Sequence, residues 1–145
     1  MTALLKALRD DVTGSAIVEF AIVGPALIMM LLGVLQIGVG LQNYNALRNA
    51  SSEVARSAMI QYSSGNRLTN DQLNALAYSA AEASPYLLKS SRLTAAVTDA
   101  ATQRVTGATE KTLVMTYRIP SMLESLGLSG PEISYTRPLF LTTPT

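Results

Sequence analysis

The chain has no cysteine, no histidine and no tryptophan, and its aromatic residues are two phenylalanines and six tyrosines. Without cysteine there is no disulfide, no thiolate chemistry and no marker of redox compartment. Without histidine as well, Ser–His and Cys–His nucleophiles and the usual nitrogen- and sulfur-ligand zinc sites are excluded. Charge is also scarce, at 14% of residues against roughly 25% in an average globular protein. Eleven Lys and Arg against ten Asp and Glu give a net charge of +1. That leaves no basic excess to hold a phosphate backbone, so nucleic acid is not an expected partner. Only carboxylate, lysine, tyrosine or serine schemes remain for catalysis. The composition therefore argues against an enzyme, and no cofactor or metal is expected.

What the sequence has in excess is apolar surface, at 48% of residues and a mean hydropathy of +0.26. The excess is concentrated between Phe20 and Leu41, a stretch of 22 residues without a charge and with Gln36 as its one strongly polar side chain. As a helix this run reaches about 33 Å, enough for a hydrocarbon core of about 30 Å. It shows none of the polar stripe that a helix buried in a soluble domain carries. A membrane-embedded helix is the reading that follows. A cleavable secretory signal fits less well, because its apolar core is about 7–15 residues and ends at a small-x-small site. Here the nearest such site, Gly38-Val39-Gly40, lies inside the run. Lys6 and Arg9 in front of the run, with the next positive charge only at Arg48, favour a cytoplasmic N-terminus.

Glu19 is the odd residue of this region, one position before the apolar run. Its plain reading is a first-turn acid that complements the helix macrodipole. A second reading comes from spacing. If the chain were cut after Gly14, Ser15 would carry the new ammonium, and Glu19 would lie four residues along on the same helical face. A carboxylate there neutralises an ammonium at membrane level, within one chain or between neighbouring helices; the spacing does not choose. Pro25 interrupts the run early, removing a helix hydrogen bond, and marks either a tolerated membrane proline or a kink.

Gly14-Ser15, Glu19 at the fifth position counted from Ser15, Phe20 and the long apolar helix resemble the processing site of type IV-like prepilins. More narrowly, the stretch from Gly14 to Gly38 resembles the TadE-like pseudopilins of the tight-adherence (Tad) pilus system. The features are Glu19-Phe20-Ala21, Pro25, the aliphatic run 28–35 and the small-residue helix 50–58. Ser51 and Ser52 depart from the Ala/Arg richness of that last stretch. The resemblance implies a leader of residues 1–14 cut by a membrane prepilin peptidase between Gly14 and Ser15, with Glu19 used in assembly. Glycine at the cut permits an extended backbone in a protease cleft. The leader precedes the apolar segment, so cleavage leaves the anchor attached. The implied partners are other pilin subunits, the pilus assembly platform, the peptidase and the inner membrane. The implied role is a structural subunit in pilus assembly, adhesion or secretion. An unprocessed single-pass protein with a periplasmic binding domain is the alternative, and a membrane-tethered hydrolase using two carboxylates is a third.

The fold expected is α+β, a long N-terminal helix with its first half in the membrane, packed on a small, mostly antiparallel sheet domain. The boundaries are a leader at 1–14, a transmembrane half at 15–41, an amphipathic half at 42–64 and a small domain at 65–145. Tyr44, Leu47, Ser51, Val54, Ala58 and Tyr62 recur at three- and four-residue steps, so the helix runs from about 15 to 62 and stops before Gly65. Thr69-Asn70-Asp71-Gln72 reads as a capping box opening a helix that continues to about residue 83. Strands are expected over 92–104, over 111–119, where Leu113, Met115, Tyr117 and Ile119 alternate, and near 133–135, with an extension at 139–141 beyond Pro138. Asp71, Glu82, Asp99, Glu110, Glu124 and Glu132 read as isolated acids that solvate the surface, and Lys89-Ser90-Ser91 as a loop rather than a Ser–Lys dyad.

Overall fold

The computed structural model describes residues 12–142 and divides the chain into two compact units between Ile37 and Gly38. The described part of the first unit is helix, the opening part of α1 (Val12–Ser63). The second contains the remainder of α1, then α2 (Asn70–Glu82), a single 3-10 turn (Ser90–Arg92) and three strands. The strands are β1 (Leu93–Asp99), β2 (Ala108–Arg118) and β3 (Glu132–Thr142), in the order β1-β2-β3 with both pairings antiparallel. The class is α+β, as the sequence predicts.

In the second unit the part of α1 beyond residue 42 is amphipathic because its buried residues fall three and four apart. Leu47, Ala50, Ser51, Val54 and Ala58 are all fully buried, with Tyr62 next in the same stripe. The stripe joins Leu73, Ala77 and Ala81 of α2, and Leu113, Met115, Leu139 and Leu141 of the sheet, in one core. The Tyr62 hydroxyl donates to the Leu68 carbonyl at 3.0 Å, closing the turn in which Gly65 takes a positive φ of 84°.

α2 starts where the capping box places it. The Gln72 amide donates to the Thr69 hydroxyl at 3.3 Å, and the Thr69 amide donates to the Gln72 side chain at 2.9 Å. β2 alternates as read, with Leu113, Met115 and Tyr117, and Ile119 just past its end, buried. β1 is shorter than expected, ending at Asp99 instead of 104. Residues 100–107 leave the ladder because the Gln103 side chain bonds the backbone of Glu110. It accepts from the Glu110 amide at 2.6 Å and donates to the Glu110 carbonyl at 3.2 Å. β3 is longer than expected, one strand running through Pro138. A proline is accommodated there because β3 is an edge, where a missing N–H costs no ladder bond.

Candidate functional site

Among the described residues, the apolar run forms a helix whose large side chains are mostly left exposed. Fourteen large apolar side chains between Ile17 and Leu41 are exposed, Phe20 at 77% and Leu31 at 60% among them. The helix is long and apolar enough to cross a membrane, and the span's most apolar window is 0% buried. The core helix of a soluble protein would be covered along one face at least. This helix has its apolar side chains turned outward on all sides, as a lipid environment requires.

Ser15 and Glu19 lie on this helix four residues apart, and Glu19 is exposed. α1 is described from Val12, so the Gly14–Ser15 peptide lies within helical backbone. Pro25 lies inside the helix, and the assignment continues through it. The leader expected at 1–14 lies outside the described residues except for its last three positions.

The second unit beyond α1, the head, carries polar chemistry that sequence reading passed over. Glu110, expected to solvate the surface, is buried, its side chain 2% exposed. It survives there because Arg104 wraps it. The Arg104 amide donates to Oε2 at 3.0 Å, its Nε to Oε1 at 2.7 Å, and its Nη2 also to Oε1. Arg104 also stacks over the Phe140 ring at 5.4 Å. These bonds hold the Glu110 carboxyl below its ordinary value against the opposing cost of burial. Lys111 Nζ donates to Asp99 at 2.5 Å and to Asn70 at 2.7 Å, and that bond lowers the Asp99 carboxyl. Arg92–Glu124 at 2.6 Å and Arg118–Glu132 at 2.7 Å complete the set. The four acids from Asp99 onward are thus ion-paired, not isolated. No spacing in the sequence announces these pairs, because each joins segments that only the fold brings together.

Ser51 and Ser52, the departure from the family pattern, also have a structural role. Arg137 of β3 donates to Ser52 Oγ at 2.5 Å and to Ser51 Oγ at 3.4 Å. Both hydroxyls donate in turn to the Arg48 carbonyl, at 2.6 Å from Ser51 and 3.0 Å from Ser52. The two serines fasten the edge strand to the helix, which alanines could not do. Lys89-Ser90-Ser91 leads into the 3-10 turn at the start of β1, and among the described residues no group of acids is placed to hold a metal ion.

Comparison with known proteins adds one finding. Residues 14–56 match the model of a family described as TadE-like protein. No curated protein and no solved structure matches the chain. The matched region begins at Gly14, contains Glu19, Pro25 and the whole apolar run, and extends into the buried stripe through Leu47, Ala50 and Val54. Over this region the chain is similar to the TadE-like proteins.

Proposed function

We propose that the chain is a minor pilin or pseudopilin, a structural subunit for Tad pilus assembly serving adhesion, biofilm formation or secretion. The observation that carries this reading is an uncovered apolar helix, matched to the TadE-like family, that leads into a folded head. The subunit is inserted in the inner membrane with its N-terminus cytoplasmic and its head periplasmic. A prepilin peptidase cuts between Gly14 and Ser15, and the anchor stays on the mature chain. Glycine costs about 1 kcal/mol relative to alanine in a helix, so helical backbone at Gly14 opens there more readily than elsewhere. Glu19 then offsets an ammonium at Ser15, of its own chain or of a neighbour. A charge held in lipid needs such a partner. Pro25 leaves the carbonyl of Ala21 without its helix donor, and we place the bend of the anchor there. The partners are other pilin subunits, the assembly platform and the peptidase.

Mass spectrometry of the chain made with and without the peptidase tests this. With it, the mature protein starts at Ser15; without it, or in Gly14→Arg, the leader is retained. A chain that keeps its leader beside an active peptidase, and a Gly14→Arg variant that functions normally, would favour an unprocessed membrane-anchored binding module instead.

A further inference from the structure

The last residues of the apolar run, 38–41, belong to the same compact unit as the sheet, so the geometry of that unit shows which of its elements lie level with them. Three contacts read as a ladder up the helix. The Ile119 side chain reaches Gly40, where an added Cβ would stand 3.4 Å from its Cδ1. Tyr44 meets Tyr135 edge to face, with ring centroids 6.1 Å apart. Arg137 reaches Ser51 and Ser52. At the other end of β2, Lys111 is bound to Asn70, beyond the end of α1. β2 therefore descends toward the apolar run and β3 climbs away from it. At about 3.3 Å per residue, Glu132 lies about 10 Å further down than Tyr135, level with the last turn of the apolar run.

The connection between them, residues 120–131, therefore leaves the sheet at the level of residues 38–41. Its base is closed by the Ile119 amide donating to the Pro131 carbonyl at 3.0 Å. Gly130 is packed so closely there that a Cβ would fall 1.9 Å from the Ile119 carbonyl oxygen. Met122 is 45% and Leu128 56% exposed on this connection. Its one charge, Glu124, is tied to Arg92. An open groove of about 560 Å³ at the same end is lined by Arg92, Arg118, Glu124, Glu132 and threonines. Apolar tips below a belt of tyrosines and paired charges are the arrangement that suits a bilayer interface.

We propose that the 120–131 connection is a second membrane contact of the head, with Met122 and Leu128 inserted in the headgroup layer where α1 leaves the bilayer. The proposal rests on the anchor reading of α1, and the experiment separates the two. The natural chain has no cysteine, so single cysteines at Met122, Leu128, Leu31 and Thr102 of the full chain take an environment-sensitive fluorophore cleanly. Each labelled variant is placed one copy per nanodisc of phospholipid. Labels at 122 and 128 are expected to shift to the blue and to be quenched by spin-labelled headgroups, while Thr102, in the loop 100–107, behaves as in water. If Leu31 reports lipid while 122 and 128 match Thr102, the second contact is wrong and the anchor stands. If Leu31 itself reports water, both fall. Protection of 122 and 128 that appears only with several copies per disc assigns them to a subunit contact and also overturns the proposal.

Discussion

One helix serves two solvents. From 20 to 41 most of its large side chains are exposed, whereas beyond 42 a stripe from Leu47 to Tyr62 is closed against α2 and the sheet. The difference lies in composition more than in helix propensity. The first stretch is apolar around its whole circumference and has no polar face to offer water. The second is apolar on one side only, with Arg48, Glu53 and Arg56 elsewhere on its surface. Helical hydrogen bonding is common to both, so what stabilises each stretch is what covers it: protein in the second, and in our reading lipid in the first.

The largest test of that contrast is a pair of leucines. Leu113 is fully buried and Leu31 is 60% exposed. Leu113→Ala is expected to cost the head about 2–5 kcal/mol, the range for truncating a buried leucine, read as a lowered denaturation midpoint in detergent. Leu31→Ala is expected to leave that midpoint where it was. Equal losses from both would mean that the first stretch is covered by protein after all. A smaller effect is expected at the Thr69 cap, where Thr69→Ala costs about 1 kcal/mol, detectable in the same assay and specific to α2.

The smallest effect is the acid response of the paired carboxylates. The Glu110 carboxyl is held low in the folded head, chiefly by its bonds from Arg104, and Asp99 is held low by Lys111. A carboxyl lowered by folding stabilises fully above its unfolded value, near 4.3 for Glu, and loses that contribution as pH falls through the folded value. The head is therefore expected to weaken on acidification below about pH 4. Glu110→Gln should lower the midpoint at neutral pH and flatten the acid limb. A steeper acid limb in Glu110→Gln would contradict the assignment.

How much could be read in advance follows the range of each interaction. Local signals were legible: the uncharged run at 20–41, the stripe through Leu47 and Val54, the Thr69–Gln72 box and the alternation around Met115. Each depends on residues within a turn or two of one another. Strand ends were less so. β1 stops at Asp99 because Gln103 and Arg104 turn back to Glu110, and β3 passes through Pro138 because it lies at an edge. The head's polar pairs were not legible at all. Arg137 and Ser52 are 85 positions apart, and no periodicity relates them. At the other end of the chain, Gly14, Ser15 and Glu19 stood out by spacing and family likeness, signals that a helix backbone by itself does not contain.

Pro138 sits opposite Thr112 in an edge strand of eleven residues. An open strand of that length is a template on which another copy can add its own strand. A residue without an amide proton puts a gap in the row of donors that such an addition needs. An imino acid near the middle of β3 thus interrupts the open edge with which a second copy would have to pair.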